Sequence, residues 1–304
     1  MKYTEAFGQK LSAVVFGGDR ISTRDVSAAA GFLDAYTSHG GNFIDTARIY
    51  GFGDCEAALG FWLVKGENRK KVFLGTKGGH PDPSDMHAGR LDKKSLEYDI
   101  KKSLEALKVD FVDMYYLHRD DVSRPVGDIL ETLNSFIQSG YTRFIGVSNW
   151  RADRIAEAND YAVAHGLSGF SADQPQFSLA RQCRIDDDTL VCMDGELYGY
   201  HLKTKMPCVC YSSQGRGYFM KLQKGEPLSE LTRRWFDCEE NRRIFEKITA
   251  TKNDACAVSL SFVTNRPFPS FAIAGSGSIA QLLQTLESAD KEIQGLDVNG
   301  LRTI

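Results

Sequence analysis

No apolar run in this 304-residue chain approaches the roughly 20 residues that cross a bilayer, which excludes a membrane-spanning helix. The opening Met-Lys-Tyr-Thr-Glu-Ala-Phe-Gly-Gln-Lys has none of the apolar character of a secretory leader. Net charge is only −3, with no long block of one sign, so the electrostatic footprint of a nucleic-acid binder is missing. Proline is sparse, and no Pro/Gly/Ser-rich linker or low-complexity tract divides the chain, so a single domain over residues 1–304 is expected. Paired Cys-x-x-Cys spacing is absent too. The seven cysteines, Cys55, Cys183, Cys192, Cys208, Cys210, Cys238 and Cys256, are odd in number and read as buried thiols of a cytoplasmic protein. Cys208-Val-Cys210 would put two thiols on one strand face, as packing rather than as a metal site.

What is present is an alternation. Short apolar runs that end abruptly at a polar residue predict strands at Leu11–Phe16, Asn42–Asp45, Lys71–Thr76, Phe111–Leu117, Tyr141–Gly146, Gly169–Asp173, Pro207–Tyr211 and Ser270–Ala274. Helical stretches separate them: Thr23–His39, Asp54–Lys65, Asp92–Lys108, Val126–Ser139, Arg151–His165, Asp187–Lys203, Glu239–Thr251 with a second piece to Asn265, and Ser278–Ala289. In Asp92–Lys108, for example, Leu96, Ile100, Leu104 and Leu107 form one stripe while Lys93, Lys94, Lys101 and Lys102 point elsewhere. Strand-helix repetition predicts an α/β fold, a single (β/α)8 barrel with its site at the carboxyl ends of the strands. With 42% hydrophobic residues the chain can bury the core that such a barrel needs.

Three of these strand ends carry chemistry. Asp45, Lys77 and His118 would close consecutive strands, and Tyr50 follows Asp45 by five residues. A free phenol titrates near pH 10, about three units too high to give up a proton readily at neutral pH, so a nearby cation is needed to stabilise the phenolate. Lys77 can be that cation, Asp45 can keep it charged in a dry cleft, and His118 can orient a carbonyl oxygen. Each residue alone has an ordinary structural reading as a helix cap, a core ring or a loop residue. Coincidence at successive strand ends is what favours a catalytic set.

Ordered motifs carry a resemblance. Gly41–Gly51 reads Gly-Asn-Phe-Ile-Asp-Thr-Ala-Arg-Ile-Tyr-Gly, Leu107–His118 reads Leu-Lys-Val-Asp-Phe-Val-Asp-Met-Tyr-Tyr-Leu-His, and Arg143–Asn149 reads Arg-Phe-Ile-Gly-Val-Ser-Asn. Together they resemble the signatures of the aldo-keto reductases, in the long-loop, bacterial-type form, over about Leu11 to Ser288. The resemblance implies reduction of aldehyde, ketone or sugar carbonyls, with Tyr50 as general acid, Lys77 and Asp45 tuning it and His118 positioning the substrate. It also implies an extended nicotinamide cofactor held without a glycine-rich fingerprint. Ser148, Asn149 and Gln174 would meet the carboxamide, Tyr211 would stack on the ring, and Ser212 and the loop Ser213–Gly217 would approach the pyrophosphate. Gly275, Gly277, Gln281 and Gln284 would lie at the opening of the last helix.

NADP(H) is the favoured cofactor and NAD(H) the alternative, because Gly275 and Gln281 stand where short-loop members place a phosphate-gripping Lys and Arg. Arg216, Arg233 or Arg234 would then have to serve. Asp173 departs from the family's frequent Asn and, from sequence, lacks a partner. Substrate walls are expected at His80–Leu91, Arg119–Arg124 and Gln214–Trp235, with Phe52, Trp150, Tyr218 and Phe219 as linings, and the irregular His80, Asp85, His87 set reads as loop rather than metal site. The partner is a small carbonyl or alcohol, with no nucleic acid and no membrane, and oligomeric state is left open. A cofactor-sensing regulatory barrel with little turnover, or a barrel isomerase without redox chemistry, are the competing readings.

Overall fold

A computed structural model describes residues 1–304. Eight parallel strands close a barrel in the order β10-β3-β4-β5-β6-β7-β8-β9. They are β3 Val14–Gly17, β4 Phe43–Asp45, β5 Phe73–Gly78, β6 Val112–Leu117, β7 Thr142–Ser148, β8 Ala172–Gln174, β9 Cys208–Cys210 and β10 Ser270–Ala274. Val15, Phe43, Phe73, Met114, Tyr116, Ala172, Val209 and Phe271 turn inward from these strands and pack together as the barrel's interior. Residues of the opposite parity, such as Val14, Ile44, Leu74, Tyr115, Cys208 and Cys210, join the larger layer between strands and helices. The two thiols of β9 lie there side by side, their sulfurs 3.4 Å apart.

The expected first strand, Leu11–Phe16, is in fact two elements. Gln9–Ser12 (β2) pairs antiparallel with Tyr3–Ala6 (β1) across Phe7 and Gly8, which both have positive φ, and only Val14–Gly17 joins the barrel. This hairpin covers the amino-terminal end of the barrel. Phe7 stacks on Phe73 at 5.1 Å and tilts against Phe144 at 5.3 Å.

Helices α1 Val26–Ser38, α2 Asp54–Leu63, α3 Lys93–Leu107, α4 Val126–Gln138 and α5 Ala152–His165 follow the sequence pattern closely. In α3 the buried side is Leu96, Ile100, Ser103 and Leu107, and Asp92 caps the helix by accepting from the Ser95 amide at 3.0 Å. The expected helix Asp187–Lys203 begins only at Gly195 (α6, Gly195–Thr204), where Asp194 caps it, and the residues before it form a loop. The segment after β9, expected as a loop to Trp235, holds two short helices, α7 Tyr218–Lys224 and α8 Glu230–Phe236. Helices α9 Glu239–Ala250, α10 Ala255–Thr264 and α11 Ile279–Ala289 complete the ring. None of them is long and apolar enough to cross a membrane.

The expectation that all cysteines are buried thiols fails for three of them: Cys192 is a thiol but only half-buried, and Cys183 and Cys238 are not thiols. Cys183, on the loop after β8, is disulfide-bonded to Cys238 at the start of α9, 55 residues away. Beside it the Cys183 amide donates to the Trp235 carbonyl at 2.7 Å, and Asp186 accepts from Trp235 Nε1 at 2.7 Å.

Candidate active site

Strand parity explains how the site is assembled. Phe43 and Asp45, then Phe73, Gly75 and Lys77, then Met114, Tyr116 and His118, lie on the inward face of three adjacent strands, with hydrophobic residues below and polar residues at the rim. Ala172 and Gln174 repeat the pattern on β8. Tyr116 fills the space beneath this rim, which is open because residue 146 is glycine. A Cβ there would sit 2.7 Å from Cδ1 of Tyr116.

Lys77 is 1% exposed, and its ammonium donates to Asp45 Oδ2 at 2.5 Å, to the Thr46 carbonyl at 2.8 Å and to the Tyr50 hydroxyl at 3.4 Å. Burial by itself would lower its pKa, but the Asp45 carboxylate and then the Tyr50 oxygen reverse this, and the group is held charged. Asp45 Oδ1 accepts from Gln174 Nε2 at 3.0 Å, so both carboxylate oxygens are paired. The structure thus brings together Asp45, Tyr50, Lys77 and His118, whose ring meets that of Tyr50 edge-on at 5.7 Å. Burial, then the nearby cations Lys77 and Arg119, pushes His118 well below the usual histidine range, so it stands neutral.

One electrostatic expectation needs correction. Burial raises the Tyr50 phenol above its ordinary value, and Lys77 offsets only part of that rise. The hydroxyl is therefore a retained proton beside a cation rather than an acid already drawn toward neutrality.

The loop that carries Tyr50 is braced from behind. Arg48 donates its amide to the Lys77 carbonyl at 2.9 Å, and its guanidinium meets the fully buried Glu56 of α2 at 3.3 Å. Glu56 also accepts from Thr76 at 2.6 Å. Directly after Tyr50, three residues in a row, Gly51, Phe52 and Gly53, are left-handed. The guanidinium of Arg48 packs so tightly there that a Cβ on Gly53 would overlap it. This brace was not read from the sequence, because it joins residues whose pairing depends on where α2 docks.

The four amide and ring groups expected around a nicotinamide form a connected cluster. Tyr211 donates its hydroxyl to Asn149 Oδ1 at 2.7 Å, Asn149 Nδ2 reaches Ser148 Oγ at 3.0 Å and the His118 carbonyl at 3.1 Å, and Ser148 donates to the Gln174 carbonyl at 2.7 Å. From Tyr50 and Tyr211 a cavity of about 500 Å³ runs outward past Ser212 to Gly275, Gly277, Gln281 and Gln284. Gln281 Oε1 accepts from the Gly277 amide at 2.9 Å, and Ser278 caps α11. Of the three arginines expected near its outer end, only Arg216 lines it. Arg234 is paired with Asp186 at 2.7 Å, and Arg233 is exposed elsewhere. Arg20, on the loop after β3, and Lys221 and Lys224 of α7 line it instead, and no sequence pattern marks them because α7 is too short to show a helical stripe.

Trp150, Tyr218 and Phe219 are no more than 1% exposed and belong to the core, so they are not pocket linings, whereas Phe52 is 76% exposed at the rim. Asp173 finds its partner in His201 of α6, whose Nε2 lies 3.2 Å from Oδ2 while Nδ1 bonds the Met206 carbonyl at 2.9 Å.

Comparison with known proteins agrees with this geometry. The profile of the Aldo/keto reductase family matches residues 13–304. Norsolorinic acid reductase B of Dothistroma septosporum is 28% identical over 87% of this chain and 70% of its own, and norsolorinic acid reductase of Aspergillus flavus is 28% identical over 90% and 71%. An aryl-alcohol dehydrogenase of Pestalotiopsis microspora is 36% identical over 48% of this chain and 39% of its own.

Proposed function

The chain belongs to the aldo/keto reductase family and is an NAD(P)H-dependent oxidoreductase, and from that premise we propose that it reduces aldehyde and ketone carbonyls, aryl carbonyls foremost, using NADPH. The observation that carries the reading is Lys77 Nζ standing between Asp45 Oδ2 and the Tyr50 hydroxyl at the inner end of the cavity. The aryl preference rests on the names of the three relatives, two of them norsolorinic acid reductases and one an aryl-alcohol dehydrogenase.

The cavity fits a dinucleotide. Asp45, Tyr50 and Tyr211 line its inner end, with Asn149 joined to it through the Tyr211 hydroxyl, Ser212 and Ser213 line its middle, and four cations, Arg20, Arg216, Lys221 and Lys224, its outer end. Ser148, Asn149 and Gln174 would hold the carboxamide, Tyr211 would support the ring, and the amino end of α11 with Gly275, Gly277, Gln281 and Gln284 would take the adenosine side. The outer cations supply the charge that a 2′-phosphate needs, which favours NADPH over NADH. When bound, the reduced nicotinamide supplies the hydride. His118, neutral, donates from its ring to the carbonyl oxygen. Tyr50 gives its proton to that oxygen as charge develops there, and Lys77 stabilises the phenolate left behind. Asp45 keeps Lys77 charged through the cycle. The barrel from end to end acts as one unit in this reading.

Following NADPH absorbance over a panel of aryl aldehydes, ketones and sugars tests the reaction. Turnover of aryl carbonyls is the expected result. Tight NADPH binding with no turnover of any carbonyl would replace this reading with that of a regulatory barrel. Fluorescence quenching tests the cofactor, with NADPH expected to bind at least tenfold more tightly than NADH, a difference of about 1.4 kcal/mol. Equal affinity would overturn the preference.

A further inference from the structure

A second imidazole stands beside His118, and the reaction just described leaves it without a task. His80 lies two residues past the end of β5, and its ring lies 4.7 Å from that of His118, nearly perpendicular to it. The segment that carries it is held from several sides. The Gly79 amide donates to the buried Asp99 carboxylate at 2.8 Å, Arg90 pairs with the same carboxylate at 3.0 Å, and the other amino group of Arg90 donates to the His80 carbonyl at 2.8 Å. Gly79 has φ +70° and leaves no room for a side chain, since a Cβ would lie 2.5 Å from Leu91. A ring anchored to a buried carboxylate through two routes is placed, not free in solvent.

The tautomer follows from its one hydrogen bond. His80 Nδ1 is 2.7 Å from the Pro81 carbonyl oxygen, which can only accept, so Nδ1 carries the proton. Burial lowers the pKa of His80, and although the Pro81 carbonyl opposes that, Arg119 adds to it, so the ring is neutral at pH 7. Nε2 is then a bare acceptor, and it makes no hydrogen bond within the chain. His118 is the opposite case. Its Nδ1 is sealed from solvent without a partner, leaving Nε2 as the nitrogen that faces a ligand.

We infer that His80 is a specificity-determining residue whose Nε2 accepts a hydrogen bond from a hydroxyl on the substrate, so that the site selects hydroxy-carbonyl compounds in which hydroxyl and carbonyl oxygens are neighbours. The two imidazoles offer one donor and one acceptor side by side. Such a substrate offers the complementary acceptor and donor on adjacent oxygens, its hydroxyl turning its one proton from its own carbonyl to His80 Nε2 as the carbonyl accepts from His118. An ortho-hydroxyaryl aldehyde or ketone has this arrangement on a rigid frame. A carbonyl compound without the hydroxyl leaves the His80 acceptor unpaired against it, which is how a polar pocket discriminates. The inference rests on the carbonyl reduction proposed above.

The test compares kcat/KM for ortho-hydroxybenzaldehyde and its ortho-methoxy ether, with NADPH, in the parent and in two variants. His80→Phe keeps a ring against His118 but has no acceptor, and His80→Gln restores an acceptor. The hydroxy-to-methoxy ratio should fall roughly five- to tenfold in His80→Phe and recover most of that in His80→Gln, the size expected for one hydrogen bond. NADPH affinity should stay within about twofold of the parent and turnover of the methoxy ether should not fall, whereas a mere supporting role for the ring would lower both substrates alike. A ratio unchanged in His80→Phe, or one that His80→Gln fails to restore, overturns the inference while leaving the reductase reading intact. If His80→Phe does not fold, the Gln variant decides through the same ratio, which must then stay within about threefold of the parent. Absence of turnover of either compound and of benzaldehyde in the parent, with NADPH or NADH, sinks the reductase reading and this one with it.

Discussion

The barrel rim has two unlike halves. Around β4, β5 and β6 the charged side chains are tied in pairs: Lys77 to Asp45, Asp45 to Gln174, Arg48 to Glu56, Glu56 to Thr76. Around β9 and β10 the cavity is open, and its cations Arg20, Arg216 and Lys221 have no close carboxylate among the cavity walls except the Asp19 that neighbours Arg20 at 3.9 Å. The first half is built to hold a proton donor still, since burial makes any loose charge there costly. The second half keeps its charges solvated and unspent until an anion arrives. Positioning and affinity are thus separated in space, and substitutions should separate them too.

The largest expected effect lies in the braced half. Tyr50→Phe should lower kcat for reduction by roughly 10²–10⁴-fold while leaving the NADPH dissociation constant within about twofold, measured by steady-state kinetics and fluorescence quenching. A variant that lost cofactor binding as well would erase the distinction between the halves. Parent kcat should also stay level through neutral pH and fall only above about pH 10, because burial holds the Tyr50 phenol above the ordinary phenol range and it must be protonated to act. A decline already below pH 9 would show that Lys77 wins over burial, by about one unit or more.

Asp173→Ala should come next. It leaves His201 buried without its partner, and chemical denaturation should report a loss of about 2 kcal/mol, whereas Asp173→Asn, which can still hydrogen-bond Nε2, should lose less than about 1. Lys221→Ala should have the smallest effect and sharpen the contrast. NADPH affinity should weaken about tenfold, with NADH affinity and thermal midpoint unchanged. A shifted midpoint would mean that Lys221 is structural.

The braced half was also the legible half. Asp45, Lys77 and His118 each end an inward-facing stripe, so residue type and strand parity were enough to place them on one rim. The open half was read less well, because α7 and α8 span only seven residues each and carry too few turns for a helical stripe to show. Lys221 and Lys224 went unseen with α7. Asp187–Asp194 was taken for the start of a helix, although its acidic and turn-forming residues cap loops: Asp187 accepts from Thr189, and only Asp194 opens α6. The Asp173–His201 pair, the Arg48–Glu56 brace and the Cys183–Cys238 link join segments brought together by docking, and no local pattern marks them. The amino-terminal hairpin was hidden because its strands are four residues long and merge in sequence with the first barrel strand.

That hairpin has a bearing on traffic. With Phe7 wedged against Phe73 and Phe144, the barrel is a blind well, corked at its floor by aromatic rings. Whatever reaches Tyr50 must come and go at the rim, where the cavity opens past Ser212 and Gly275. Arrivals and departures therefore queue at a shared threshold, and a product slow to clear it blocks the next molecule from entering.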